Sequence, residues 1–346
     1  MDRISRRTLL KFLSSSIGAY TVAELLSACT PKVTRNVSPT PFEPTDTRGG
    51  INPTGEVEPL ATKEEVPVES SATSSAVPDL VVARGGEPQV LVERALAAIG
   101  GMERFVPKGG WVIIKPNICN SYHGYEYAST TNPWVVAALV RLCLGAGAKK
   151  VQVMDSPFGG TAANAYVSSG IAEQVGLAGG EMIDMPGFKF TEVTVKDPVK
   201  LKSCFIYEDV FKADLVINVP IAKTHGLAKL TLGMKNMMGL IQKREYFHSW
   251  MGERLTDLNR TIHPALTVVD AIRILTANGP TGGNLNDVKQ MDTIIVSTDV
   301  VAADSYATGL FGLRPEDVGY IVEATKAGFG VSDLNNLRIE ELSVGA

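Results

Sequence analysis

The stretch GWVIIKPNICNSYHGYEYASTTNPWVVAALVRLCLGAGAKKVQVMD, residues 110–155, decides how this chain folds. Trp111 to Ile114 form a short apolar run that ends two residues before Pro116, which predicts a buried strand over residues 110–117. Asn132-Pro133 marks a helix start, because proline is tolerated at the first helical position. The apolar run after it predicts a helix to about Leu144, ended by Gly145 and Gly147. Lys150 to Asp155 reads as a second strand. Strand, helix and strand at this spacing make a parallel βαβ unit with a right-handed crossover.

Outward from this unit the pattern recurs. Residues 214–220 read as a strand whose run after Asp214 is apolar around Asn218, as expected of a sheet covered on both faces. Residues 266–270 and 291–299 give two more strands. A helix is expected after Asp299 and another over residues 316–326. Residues 192–195 and 337–342 read as edge or peripheral strands. The expected fold class is α/β: a mostly parallel sheet with helices on both faces, one domain with insertions over residues 80–346.

The composition of the whole chain, 346 residues with 45% hydrophobic and 20% charged, excludes a wholly disordered, collagen-like or polytopic membrane protein. Its net charge of −4 hides an asymmetry. Residues 1–29 hold four basic and two acidic residues, residues 30–79 four and eight, and residues 80–346 hold 25 and 27. No block is basic enough for nucleic-acid binding.

Ser5-Arg6-Arg7-Thr8-Leu9-Leu10-Lys11 resembles the twin-arginine export signal. The modestly apolar run behind it, residues 12–26, is too short for a membrane-spanning helix, which needs about 20 residues. Leu26-Ser27-Ala28-Cys29 resembles a lipobox, in which Cys29 becomes the lipidated first residue. Residues 30–79 are rich in Pro, Ser, Thr and Glu with Phe42 as their one aromatic, so they are expected to be a disordered tether. The expected partners are therefore the twin-arginine export machinery and a lipid anchor at the outer face of the membrane.

Polar residues gather where the predicted strands end: Lys115 and Asn117, Asp155, Lys223 and His225, Asp270, and Asp299. In open α/β sheets the ligand crevice lies beyond the carboxyl ends of the strands. The segment from Lys223 to Gly239 is densest, with Lys223, Lys229 and Lys235 recurring amid glycines and threonines. Lys115, Lys223 and Lys235 are suited to hold a phosphate or carboxylate, with Asn236 beside them. His225 has the chemistry for proton transfer, and Asp155, Asp270 or Asp299 for orienting groups or binding a cation. Thr130 and Thr131 serve either as a helix cap or as donors to an anion. Asn278 opens a glycine-rich loop containing Gly282 and Gly283, which lets backbone amides approach a ligand but lacks the phosphate-loop ending.

Lys115-Pro116-Asn117, Thr130-Thr131-Asn132-Pro133, Lys223-Thr224-His225, Gly233-Met-Lys-Asn-Met-Met-Gly239, Asn278-Gly-Pro-Thr-Gly-Gly283 and Ser297-Thr-Asp-Val-Val-Ala-Ala-Asp304, taken in order, resemble the motifs of the domain of unknown function 362 family. The likeness covers roughly residues 80–345. It implies redox chemistry, since many members carry a ferredoxin-like iron–sulfur module. Here Cys119, Cys143 and Cys204 lack cluster spacing, so a built-in cluster is not expected; a metal remains open.

Two functions follow. One is an enzyme acting on a small anionic substrate, of redox or isomerase type. The other is a non-catalytic lipoprotein that binds a ligand or supports assembly of a membrane complex.

Overall fold

The computed structural model describes residues 77–345, so the export signal, Cys29 and all but the last three residues of the tether (77–79) lie outside the described residues. The quoted stretch folds as expected. β2 (Trp111–Pro116) leads through a loop to α2 (Pro133–Gly145) and then to β3 (Lys150–Val153), which pairs with β2 in parallel. Asn132 caps α2 by accepting a hydrogen bond from the Trp134 N–H at 3.0 Å, while Pro133 occupies the first turn.

Ahead of this unit come β1 (Leu80–Arg84) and α1 (Pro88–Ala98), neither predicted from the sequence. After it the chain forms α3 (Ala162–Ser168), α4 (Ile171–Leu177) and the short β4 (Glu181–Met182). A separate antiparallel hairpin, β5 (Phe190–Thr194) and β6 (Ser203–Tyr207), precedes β7 (Leu215–Val219). β8 (Ile221–His225) and β9 (Lys229–Thr231) form a second hairpin that runs into the single turn α5 (Gly233–Asn236). The remainder is α6 (Met251–Ile262), β10 (Leu266–Leu275), β11 (Val288–Ser297), α7 (Val300–Thr308), α8 (Gly319–Lys326) and β12 (Ile339–Ser343).

The main sheet runs β12-β1-β11-β10-β7-β2-β3-β4, with β8 attached to β10. It is mixed but mostly parallel: β10, β7, β2, β3 and β4 share one direction, and β11 runs against β10 and β1. Strand alternation divides β2, with Val112 and Ile114 packed on one face and Ile113 on the other. α1, α2 and α4 cover the first face; α6, α7 and α8 cover the second. An α/β domain with helices on both faces is therefore what forms.

Two strand readings change on folding, and each moves a candidate residue. β10 does not stop at Asp270 but continues five residues to Leu275, so Asp270 is an interior strand residue with no exposed surface. β11 is antiparallel to β10, and its last residue, Ser297, pairs with Thr267 at the beginning of β10. Asp299 therefore lies at the amino-terminal edge of the parallel strands, opposite to the edge where Lys115 and Asp155 emerge.

Candidate functional site

The loops after β2 and β3, the β8–β9 hairpin and the turn at α5 enclose a cleft of about 790 Å³ at the carboxyl edge of the parallel strands. That lies within the range of about 300–1,000 Å³ typical of small-molecule sites. Its floor is a hydrogen-bonded network. Lys115 Nζ lies 2.9 Å from Asp155 Oδ1 and donates to Asn236 Oδ1 at 2.8 Å. Asn117 Nδ2 donates to the same oxygen at 3.0 Å, and Lys223 Nζ donates to Asn117 Oδ1 at 2.9 Å and to the Ser129 carbonyl at 2.6 Å. Asn236 is fixed from behind, its amide donating to Asn218 Oδ1 at 2.8 Å and to the Lys115 carbonyl. The Asp155 carboxylate also accepts the Ile118 N–H at 2.6 Å and the Ser156 N–H at 2.9 Å.

The local sequence explains how this network is held. Asp304 on α7 accepts the Gly233 and Met234 N–H groups at 2.6 and 2.9 Å, which pins the start of α5 and with it Lys235 and Asn236. A Cβ at Gly233 would crowd Asp304 and Val300, and one at Gly239 would collide with Asp155 Oδ1 and Lys115 Nζ. Glycine at these two positions lets backbone approach a buried ion pair closely.

The electrostatics follow from burial. Desolvation lowers the Lys115 ammonium to about 8, although the neighbouring Asp155 carboxylate favours its charged form. Lys235 is also lowered to about 8, first by desolvation and then by the charges of Lys223, Arg244 and Lys115. Lys115 has Asp155 and Asn236, whereas Lys235 makes no hydrogen bond or salt bridge among the described residues. His225 is depressed to about 4 by burial, then by Lys235, Lys223 and His248. Its Nδ1 accepts the Leu227 and Ala228 N–H groups at 3.1 and 3.2 Å, which assigns the ring proton to Nε2. At neutral pH His225 is thus a neutral hydrogen-bond donor, and Lys115 and Lys235 are the cleft groups closer to titrating.

Of the residues expected at a site, Lys115, Asn117, Asp155, Lys223, His225, Lys235 and Asn236 line this one cleft. The others do not. Asp270 is enclosed and accepts the Asn132 N–H at 2.6 Å and the Ile272 N–H at 3.0 Å, so its carboxylate fixes backbone. Thr130 Oγ1 accepts the Cys119 N–H, and Thr131 Oγ1 accepts the Asn117 N–H and donates to the Val219 carbonyl, so both shape the loop under the cleft. Asn278 bonds Asp287, while Gly282 and Gly283 pack against Leu275 and His123; from that loop only Pro280 and Thr281 reach the cleft. Asp299 caps α7 by accepting the Val301 and Ala302 N–H groups.

Sequence reasoning missed Arg244, whose Nη2 donates to the Ser156 carbonyl at 2.7 Å and whose guanidinium is held below its usual range by burial. The basic pair Lys243-Arg244 just after an apolar run was its signal. Lining the cleft are five cationic side chains (Lys115, Lys223, Lys235, Lys243, Arg244) and two carboxylates (Asp155, Glu245), so it has an excess of positive charge.

Among the described residues no helix is long and apolar enough to cross a membrane, and no three His, Cys, Asp or Glu side chains gather to hold a metal ion. Cys143 is packed on one face of the sheet, Cys204 on the other, and Cys119 lines the cleft. They do not fit an iron–sulfur cluster, which needs its thiolates on a single centre.

The model of the domain of unknown function 362 family matches residues 112–309. A curated relative, the thylakoid-associated protein sll1697 of Synechocystis, is 30% identical over 245 residues, covering 67% of this chain and 73% of that protein. Two solved structures are more distant. The lactate racemase apoprotein of Thermoanaerobacterium thermosaccharolyticum is 11% identical with a TM-score of 0.39, over 62% of this chain and 53% of that one. A protein of Thermotoga maritima is 12% identical with a TM-score of 0.41, over 66% and 60%. This chain thus spans less than two thirds of either solved chain.

Proposed function

The chain belongs to the domain of unknown function 362 family, and from that premise we propose that its α/β domain binds a small anionic ligand in the cleft and transfers a proton on it through Lys235. The observation that carries this reading is Lys235 itself, a desolvated amine without a partner among the described residues, in a cleft of excess positive charge. An unpaired ammonium in such a place costs free energy unless something anionic meets it. Arg244 and Lys223 hold the anion from either side, and His225 donates a hydrogen bond from Nε2. Lys115 stays paired with Asp155 and positions Asn236.

A lysine held near pH 8 has a neutral fraction able to take a proton, and the same group returns it at a second position, which is chemistry of isomerase type. Titration calorimetry with inorganic phosphate and small carboxylates tests the binding. Binding by the native protein that weakens at least tenfold in Lys235→Met supports the reading; no binding of any anion by the native protein defeats it.

The export pattern and Cys29 add a location: the domain is exported and lipid-anchored on the extracytoplasmic side of the membrane, a reading favoured by a relative described as thylakoid-associated. Cys29→Ala should move the protein from the membrane to the soluble fraction of the exporting host. The same relative favours a second reading, a ligand-binding factor that supports a membrane complex without turnover. Stable co-purification of such a complex, with bound ligand left chemically unchanged, would select it.

A further inference from the structure

The polarity of the cleft runs opposite to that of an ordinary surface depression. Its base is charged and buried: Lys115 and Lys223 are each 1% exposed, and Asn236 lies beside them. Its lip carries large exposed apolar side chains. Phe158 and Leu227 line the mouth at 76% and 71% exposure. Phe188, at 85%, stands between the lining residues Gly187 and Phe190. Between lip and base the wall carries Met185, Phe190, Met238 and Ile241. Lys243, Glu245 and His248 also reach the lip, so its apolar side chains stand among polar ones. Single exposed apolar residues are common, but here large ones collect at the entrance to a cationic site, which marks a ligand-binding groove.

We infer that the ligand is an amphiphile, with an anionic head on the lysines at the base and an apolar chain running along the wall to Phe158 and Leu227. This rests on the proposed anion site and adds the class of molecule that fills it. A bare inorganic anion would meet only the base and leave the apolar wall in water. The size agrees, since about 790 Å³ is the room taken by a ligand of many heavy atoms. Burial of the chain supplies affinity in proportion to apolar area removed from water, about fourfold for each methylene.

The test is a chain-length series of alkyl phosphates, from inorganic phosphate to octyl phosphate below its micelle concentration. They are titrated into the full-length chain carrying Cys29→Ala so that no attached lipid competes. The expected result is tightening of roughly threefold to fourfold per methylene over the first several carbons. Phe158→Ser with Leu227→Ser should flatten that slope while leaving inorganic phosphate binding unchanged. Both residues are exposed, so the fold is not at risk. If inorganic and octyl phosphate bind the native protein equally, the amphiphile is wrong and the anion site stands. If octyl phosphate gains affinity but the double substitution leaves its slope intact, the chain does not lie along this lip and the inference fails. If no member binds, both ideas fall. A parallel arm separates two sources of the same chemistry. Sedimentation with phosphatidylglycerol vesicles but not phosphatidylcholine vesicles supports an amphiphile drawn from a bilayer. Octyl phosphate binding without sedimentation supports a dissolved one.

Discussion

Charged groups withdrawn wholly or partly from water occur in two regions of this domain under contrasting conditions. Behind the sheet, the buried carboxylates carried by α6 and α7 are held by backbone. Asp257 accepts the Val199, Lys200 and Leu201 N–H groups at 2.7–2.8 Å, and Asp304 accepts those of Gly233 and Met234. At the cleft, Lys235 is left without a partner among the described residues, and Arg244 has only carbonyl acceptors. A buried polar group that is fully bonded holds structure together, whereas one held open is a cost that a ligand relieves. The difference separates architecture from site even though both regions are rich in the same residue types.

The sharpest way to break this division is to remove a saturated group. Asp257→Ala strands the buried Leu201 amide and the half-buried amides of Val199 and Lys200, and should destabilise the domain by about 3–5 kcal/mol, read in denaturant melts. Little change in melting would mean that water replaces the carboxylate and that the division is false. Next comes Gly239→Ala, which forces the Lys115–Asp155 pair apart and is expected to cost about 3 kcal/mol together with ligand binding. Unchanged anion affinity in this variant would show that the pair does not shape the base of the cleft.

Lys235→Met probes the open region and should do the reverse. Anion affinity is expected to fall tenfold to a hundredfold, consistent with about 1.5–3 kcal/mol for a hydrogen bond to a charged group. Melting should stay level or rise, because a desolvated ammonium is gone. A marked loss of stability would place Lys235 with the structural charges.

The smallest effect is in pH. The ammonium is the form that attracts an anion, and the free protein loses it as pH rises through about 8. Affinity should therefore be level below that point and fall by less than tenfold between pH 8 and 9. The fall attributable to Lys235 should be absent from Lys235→Met. An equal decline in both proteins would assign the titration to Lys115, which is lowered to the same value.

Legibility varied along the chain for identifiable reasons. The unit from Trp111 to Val153 could be read because its signals are local: a continuous apolar run, Asn132-Pro133 at a helix start, and glycines at its end. β1 was not legible, since Leu80–Arg84 gains its identity from pairing with β11 and β12, more than 200 residues away. The candidate residues divided in the same way. Lys115, Asn117, Asp155, Lys223 and His225 were picked out by their place near strand ends, and Lys235 and Asn236 by the dense run of lysines and glycines from Lys223 to Gly239; all seven share one cleft. Asp270 and Asp299 had the same local signature and do not.

What the sequence determined by itself was the α/β class, the central parallel unit and the choice of residue types able to meet an anion. Those depend on periodicity, caps and short motifs, which act over a few residues. Only the tertiary structure decided which charges are saturated and which remain open, because the direction of β11 and the length of β10 are set by pairing across the sheet. A carboxylate at a strand end is a ligand-facing group when that strand runs with its neighbours. When it runs against them, or continues past the carboxylate, the same residue is held by backbone amides away from the cleft.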